Sequence, residues 1–180
     1  SSVAMGHNTF VSSNATNAVA IGSGSQALGE SAIALGHGSV ASGKQSISIG
    51  TGNNVSGNHS GAIGDPNTIS GNGSYAMGNN NTITQDNSFV LGNNVSIDAK
   101  ASDMSAANGA TFNGSIALGN GSTVSAPVGT ASTTIQGTKY DFAGSKPVGT
   151  VSVGSEGEER TVTNVAAGRI DKDSTDAVNG

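Results

Sequence analysis

The chain has 180 residues, of which 28 are glycine and none is cysteine or tryptophan, and only 3% are aromatic. Its formal net charge is -5 at pH 7, which argues against a basic surface for nucleic acid. No apolar run approaches the roughly 20 residues of a membrane-spanning helix, and the absence of cysteine excludes a disulfide framework. Because patterned sequence starts at Ser1, we expect any export signal to lie outside this chain.

A short phrase of the type S-x-A-I-G recurs through the first two thirds of the chain. Its glycines are Gly6, Gly22, Gly36, Gly50, Gly64, Gly78, Gly92 and Gly119. They are 14 residues apart, except for a first interval of 16 and a last interval of 27. The long interval contains one degenerate copy at Ser102–Ala106. This repeat predicts nine coils of about 14 residues each.

Within each phrase, large apolar residues alternate with small ones, which predicts a β-strand with apolar residues on both faces. The large residues expected to form core or interface columns are Val19, Ile21, Ile33, Leu35, Ile47, Ile49, Ile63, Met77, Phe89, Leu91, Ile116 and Leu118. A second set, in the other half of each coil, is Ala27, Ala41, Val55, Ile69, Ile83 and Ile97. Each coil therefore contains two strands and two turns. Because fourteen residues are too few for a βαβ crossover, the coils should stack as a parallel β-solenoid.

Asparagine also recurs at the repeat spacing. Asn53, Asn67 and Asn81 share one position of the coil, and Asn58, Asn72 and Asp86 share another. Because asparagine tolerates the left-handed conformation, we favour a turn role for these positions. Hydrogen bonds between stacked amides are the alternative.

One face of the first strand of each coil should remain uncovered in a single chain. Burying its eight or nine apolar residues at about 1.5–3 kcal/mol each is worth on the order of 10–20 kcal/mol per chain. That exceeds the net stability of an ordinary domain, so we predict an obligate oligomer. The residues leave open the number of copies and which face, large or small, meets the partner.

The coils resemble the YadA-like head of trimeric autotransporter adhesins, and RTVTNVAAGRIDKDSTDAVNG, from Arg160 to Gly180, resembles the neck of that family. The intervening TIQGTKYDFAGSKPVGTVSVGSEGEER resembles its head-insert segment. The coils depart from the family pattern at Ser102–Ala106, where Asp103 and Met104 interrupt the apolar columns.

This resemblance implies an all-β fold, a left-handed parallel β-roll in a homotrimer. It implies a head at 1–119, a connecting or head-insert β segment at 120–159, and a neck at 160–180 that leads to a coiled-coil stalk. It also implies a bacterial cell-surface protein, anchored in the outer membrane only through regions downstream of this chain.

In the neck, polar residues stand among apolar ones, and we expect them to find partners on neighbouring chains. The neck positions of interest are Asn164, Val165, Gly168, Asp176, Val178 and Asn179. An alternative role for Asp176 is to cap a turn or the start of a helix.

No set of residues suggests catalysis, a cofactor or a metal. His7 and His37 lie two coils apart, about 10 Å by strand spacing, which is too far to share one ion. We expect these histidines and His59 to be solvated turn residues, and the acidic cluster Glu156, Glu158 and Glu159 to be a solvated loop.

We therefore predict a non-enzymatic adhesin head that uses its repetitive outer face. Its partner would be an extracellular matrix protein, a host receptor or an abiotic surface. A purely structural solenoid fibre or shaft segment is the alternative; it would share the repeat and lack the neck. An ice-binding solenoid is disfavoured. Its threonines would repeat in one column over many coils, whereas the threonines of this chain do not.

Overall fold

The computed structural model of the protein describes residues 1–98 and 112–179. In that part of the chain, the helices and strands comprise β-strands alone. The first fourteen strands are β1 Val3–Met5, β2 Phe10–Val11, β3 Val19–Ile21, β4 Gln26–Ala27, β5 Ile33–Leu35, β6 Val40–Ala41, β7 Ile47–Gly50, β8 Asn54–Val55, β9 Gly61–Gly64, β10 Asn67–Ile69, β11 Tyr75–Met77, β12 Asn81–Ile83, β13 Phe89–Leu91 and β14 Ser96–Ile97. The remaining four are β15 Ile116–Leu118, β16 Ser132–Ile135, β17 Thr138–Asp141 and β18 Val151–Ser152.

The strands form two stacked parallel sheets and one small hairpin. The first sheet has nine strands in the order β1-β3-β5-β7-β9-β11-β13-β15-β18, and the second has seven in the order β14-β12-β10-β8-β6-β4-β2. Consecutive coils pair residue for residue, as in Val19↔Ile33 and Ile21↔Leu35. Seven coils, from β1–β2 to β13–β14, therefore contribute one strand to each sheet. The parallel β-solenoid is confirmed.

The predicted count of nine coils before residue 119 was wrong. The degenerate copy Ser102–Ala106 lies outside the described residues, but β13 pairs directly with β15, Phe89 opposite Ile116. That pairing leaves no place in the first sheet for a strand between them. The ninth strand of the sheet is instead β18, which pairs with β15. In sequence, Ser102–Ala106 places an alanine where every other copy has the terminal glycine.

Each terminal glycine lies against the glycine of the next coil, which explains why no side chain fits there. Gly50 has φ of 125°, a conformation that residues with a side chain rarely adopt. A Cβ on Gly50 would collide with the backbone carbonyl of Gly64 in the following coil. The spacing of the coils along the roll therefore depends on these glycines.

The interior of the roll is lined by small residues from the first sheet and by larger ones from the second. Buried residues of the first sheet are Ala20, Ala34, Ser48, Ala62, Ala76, Val90 and Ala117. Those of the second sheet are Ala27, Ala41, Val55, Ile69, Ile83 and Ile97. The small member of each phrase thus points inward and the large members point outward. This settles which face of the first strand lies uncovered in the single chain: the face of large residues.

The preferred turn role was wrong for the asparagine column Asn53, Asn67 and Asn81. All three are buried, and none has a positive φ. The side-chain Nδ2 of Asn67 donates to Oδ1 of Asn53 at 2.9 Å, and Nδ2 of Asn81 donates to Oδ1 of Asn67 at 2.9 Å. The same amides also donate to backbone carbonyls, Asn67 to Gly78 at 2.8 Å. The column is a hydrogen-bonded ladder inside the roll.

The column of Asn58, Asn72 and Asp86 is also a hydrogen-bonded ladder, but it lies on the surface. Its side-chain oxygens accept from the backbone of the preceding coil. Oδ1 of Asn72 accepts from the backbone N–H of Asn58 at 3.0 Å, and Oδ1 of Asp86 accepts from that of Asn72 at 2.7 Å. The side chains thus tie successive turns together at the rim of the roll.

Candidate functional site

The outer face of the nine-stranded sheet carries two parallel columns of large apolar side chains, which we call the apolar face. In register order the first column is Val3, Val19, Ile33, Ile47, Gly61, Tyr75, Phe89, Ile116 and Val151. The second column is Met5, Ile21, Leu35, Ile49, Ile63, Met77, Leu91 and Leu118. All twelve column residues named in the sequence analysis belong to this face.

Side chains of the apolar face are half-exposed in the single chain. Leu35 is 39% exposed, Met77 46% and Leu91 47%. Adjacent strands of the sheet are in register, so each side chain has a neighbour of the same column directly above and below it. A continuous apolar surface of this length is typical of a protein–protein interface.

The outer face of the seven-stranded sheet is different, and we call it the polar face. Its register positions are Phe10, Gln26, Val40, Asn54, Thr68, Thr82 and Ser96. From Asn54 onward this column has only short polar side chains, and Asn54, Thr68 and Ser96 are exposed. From Asn54 onward, the two outer faces of the roll therefore have opposite chemistry.

Arg160 closes the C-terminal end of the roll, a role that the sequence analysis missed. Its guanidinium donates to the backbone carbonyls of Asn120 at 2.7 Å and Val153 at 2.8 Å, and to Oγ of Ser122 at 3.3 Å. The guanidinium also lies against Gly119, in the position that the glycine of the following coil occupies for the preceding terminal glycines. No local spacing could have indicated this contact, since Arg160 follows Asn120 by 40 residues.

The connecting segment contains an antiparallel hairpin, β16–β17, closed by Gln136 and Gly137, which both have positive φ. One face carries an ion pair between Lys139 and Asp141, with 2.7 Å between Nζ and Oδ1. The other face includes Ile135 and is exposed, with Tyr140 also on that side.

The neck folds back on itself, so that the AAG and TDAVN motifs lie opposite each other. Nε and Nη2 of Arg169 donate to Oδ2 and Oδ1 of Asp176 at 2.7 and 3.0 Å, and the backbone N–H of Arg169 donates to Oδ2 at 3.1 Å. Nδ2 of Asn179 donates to the carbonyl of Val165 at 3.2 Å. A Cβ on Gly168 would meet the carbonyl of Ala177 at 2.6 Å.

Within the single chain, the carboxylate of Asp176 binds Arg169, and the side chain of Asn179 binds the carbonyl of Val165. Partners on neighbouring chains stay a prediction. The Arg169 guanidinium lowers the pKa of the Asp176 carboxyl, and the carboxylate raises the pKa of Arg169. Among the remaining neck positions, Asn164 has a positive φ, and Val178 is 70% exposed.

An open groove of about 460 Å³ lies at the end of the roll, lined in part by Thr123, Thr150, Glu156, Glu159 and Arg160. The backbone N–H of Gly157 donates to the Glu159 carboxylate at 2.9 Å and lowers its pKa. Across residues 1–98 and 112–179, no group of histidine and acidic side chains is arranged to hold a metal ion.

His7, His37 and His59 are all exposed. His59 occupies a turn, with a positive φ. In the same described ranges, no helix is long and apolar enough to span a membrane.

Comparison with known proteins gives one family match and one curated relative. The YadA head domain repeat matches residues 13–39, 41–65 and 70–94. The autotransporter adhesin BtaE of Brucella suis biovar 1 (strain 1330) is 67% identical over 60 residues, which are 33% of this chain and 8% of BtaE. The chain thus spans only a small part of that relative.

The solved structures that are similar to the chain include the following two. The C-terminal YadA-like domain of BPSL2063 from Burkholderia pseudomallei is 39% identical, over 68% of this chain and 46% of that one, with a TM-score of 0.44. The collagen-binding domain of the Yersinia adhesin YadA is 23% identical, over 99% of this chain and 70% of that one, with a TM-score of 0.45.

The YadA head domain repeat matches coils that carry the apolar face. Residues 13–39, 41–65 and 70–94 are therefore YadA head domain repeats.

Proposed function

We propose that three copies of the chain assemble through their apolar faces into a non-enzymatic adhesive head. The polar face would then point outward and bind an extracellular matrix protein, a host receptor or an abiotic surface. The observation that carries this proposal is the contrast between the two outer faces of one roll, one with two apolar columns and the other, from Asn54 onward, with short polar side chains.

The apolar face supports assembly because it is too large to leave in water. Nine strands at about 4.8 Å make it roughly 40 Å long. Its large side chains are about half covered in the single chain, and covering the rest is worth on the order of 10–20 kcal/mol. A second and third copy of the chain fit this face best, because each has the same apolar columns with the same 14-residue repeat. Closed symmetric assemblies bury surfaces of this kind. The number three rests on the family.

The polar face supports distributed adhesion and not capture in a pocket. Its exposed side chains, such as Asn54, Thr68 and Ser96, are short and uncharged, so each contact with a ligand is weak. Repetition over coils and over three chains supplies affinity through multivalency. Because this face has few charges, binding should depend only mildly on salt.

We further propose that the chain divides into a head at 1–119, a connecting segment at 120–159 and a neck at 160–180. The connecting segment contributes β18 to the head sheet, and Arg160, the first residue of the neck, contacts the end of the roll. Through these contacts the head would hold the neck in a fixed position.

The proposal is tested with the 180-residue chain in two steps. Light scattering should give three times the monomer mass of 17.4 kDa. A solid-phase panel of collagens, fibronectin, laminin, cultured cells and bare polystyrene should then show saturable binding to at least one surface. Replacing Thr68 and Thr82 with lysine should weaken that binding less than tenfold. A folded monomer at micromolar concentration would contradict the assembly, and failure on every surface would favour a purely structural shaft.

A further inference from the structure

Tyr75 is the one residue of the apolar face whose side chain has an oxygen or nitrogen atom. Every other position of the two columns is valine, isoleucine, leucine, methionine, phenylalanine or glycine. Tyr75 is 40% exposed in the single chain. Among the described residues of the chain, the Tyr75 hydroxyl has no hydrogen-bond partner. An isolated polar atom in the middle of an apolar interface needs a partner once the interface closes.

The ring of Tyr75 packs over Gly61, the preceding member of the same column. A Cβ on Gly61 would lie 2.7 Å from Cδ1 and 2.8 Å from Cε1 of Tyr75, so the ring lies over the glycine. Gly61 is buried although the residues flanking it in the column are partly exposed. The ring thus fills the gap left by the missing side chain, and the glycine holds the ring at one height on the face.

In a trimer built from such columns, the apolar contacts alone do not fix how the chains are aligned along the trimer axis. The second column runs through Ile21, Leu35, Ile49 and Ile63 with little change in size or shape. If one chain slides by one coil, about 4.8 Å, its apolar side chains meet nearly equivalent neighbours. Repetitive surfaces specify their register weakly for this reason. Only an irregular feature can favour one alignment.

We propose that the Tyr75 hydroxyl, held in place over Gly61, sets the axial register of the three chains. This inference rests on the proposed trimer. In the symmetric alignment the three hydroxyls lie at the same height, and each both donates and accepts a hydrogen bond, so they can partner one another. After a slip of one coil, a hydroxyl lies level with Gly61 or Phe89 of a neighbour. Neither side chain offers a hydrogen-bonding atom, and the hydroxyl is left unpaired.

A buried polar residue that selects one alignment at some cost in stability has a parallel in coiled coils, where one core asparagine sets register and oligomeric state. Removing the hydroxyl while keeping the ring should therefore preserve the trimer and lose the unique alignment. Tyr75→Phe is the variant that does this, and it leaves the contact between the ring and Gly61 intact.

Methionine methyl NMR reports on register directly, because the chain has three methionines and two of them, Met5 and Met77, lie on the apolar face. In an aligned trimer each methionine gives one signal, since the three chains are equivalent. In a slipped trimer the chains differ, and the signals of Met5 and Met77 should split into two or three. We expect single signals in the parent protein and split signals in Tyr75→Phe, both at trimer mass.

Tyr140→Phe is the matched control, since it removes the only other tyrosine hydroxyl of the chain, which lies on the hairpin. Its signals should remain single. Single Met5 and Met77 signals in a trimeric Tyr75→Phe would overturn the inference and leave the trimer standing. So would equal splitting in Tyr140→Phe. A monomeric parent protein would instead contradict the proposed function, and light scattering separates these cases.

Discussion

The guanidinium of Arg160 donates a 2.7 Å hydrogen bond to the backbone carbonyl of Asn120. In the preceding coil the equivalent carbonyl, that of Asn93, accepts from the backbone N–H of Gly121 at 2.9 Å. Arg160 therefore supplies the hydrogen-bond donor that the backbone of the following turn supplies in the preceding coil. A solenoid needs such a cap because its last coil otherwise exposes unpaired backbone groups.

Arg160→Met should destabilise the last coil while the rest of the roll stays folded. The change removes hydrogen bonds from a charged donor, each worth about 1.5–3 kcal/mol, and keeps the aliphatic part of the side chain. Hydrogen exchange at Ile116–Leu118 should become at least tenfold faster, with little change at Ile47–Gly50. Lys44→Met is the control, since the side chain of Lys44 forms an exposed ion pair with Glu30. Equal protection in both variants would show that Arg160 is not a cap.

Asn67→Ala should cost about 3 kcal/mol or more in free energy of unfolding. The change removes the hydrogen bonds of the Asn67 amide with Oδ1 of Asn53, Nδ2 of Asn81 and the carbonyl of Gly78, and it leaves the buried backbone N–H of Asn81 without its acceptor. A lost hydrogen bond costs about 0.5–1.5 kcal/mol, and an unpaired buried group costs about 1–3 kcal/mol. The control is Asn54→Ala, which removes an exposed amide of the polar face and should cost less than about 0.5 kcal/mol. Denaturant titrations at one protein concentration compare the two, and equal losses would contradict the ladder.

Gly50→Ala should prevent formation of the native roll. Its φ of 125° is unsuited to alanine, and the new Cβ would collide with the carbonyl of Gly64. Gly38→Asn is the control: Gly38 has φ of 62°, which asparagine tolerates, and open space around it. Circular dichroism and gel filtration should show a folded Gly38→Asn and an unfolded or aggregated Gly50→Ala. A native-like Gly50→Ala would mean that coil spacing is adjustable.

The strands could be predicted from the sequence because a two-residue alternation inside a fourteen-residue period is typical of a β-solenoid. The orientation of the first strand stayed open, since Ala34 and its neighbours Ile33 and Leu35 are all apolar. The thinness of the roll decides this in the structure, because the two inner faces cannot both carry large residues: small ones such as Ala34 on the first sheet leave room for Ile69 and Ile83 on the second. The coil length alone implies that thinness, so the orientation could have been inferred from residue volume.

For the column of Asn53, Asn67 and Asn81, residue type alone led to the wrong prediction of a turn. Asn80 has a positive φ and serves in a turn, whereas Asn81, the next residue, is buried in the ladder. Both are asparagines in the same repeat, so preference for turns cannot separate them. The contacts of Arg160 and the pair of Arg169 with Asp176 were not predicted because their partners are set by chain reversal and not by the repeat.

The ion pair of Arg169 and Asp176 should make the neck sensitive to acid. Because the guanidinium lowers the pKa of Asp176 in the folded chain, the pair stabilises the neck above the ordinary carboxyl pKa. That contribution is lost as the pH falls through the lowered value. Carboxyl NMR titration should show the Asp176 pKa returning toward its ordinary value in Arg169→Met. Lys172→Met, which removes a neighbouring ion pair with Asp173, should leave the Asp176 titration unchanged; an equal shift in both variants would contradict the pairing.

Ile49→Asp tests the apolar face at its centre. Ile49 points outward and is only partly buried in the single chain, so the aspartate leaves the interior of the roll unchanged. In the proposed trimer it would bring three carboxylates into an apolar interface, and desolvating unpaired charges costs several kcal/mol. We expect light scattering to show dissociation to folded monomers, or a loss of assembly free energy of at least about 3 kcal/mol. Thr68→Asp, an equally acidic change on the polar face, should leave the trimer intact. A trimeric Ile49→Asp with an unchanged melting temperature would mean that this column faces solvent and that the chains meet elsewhere.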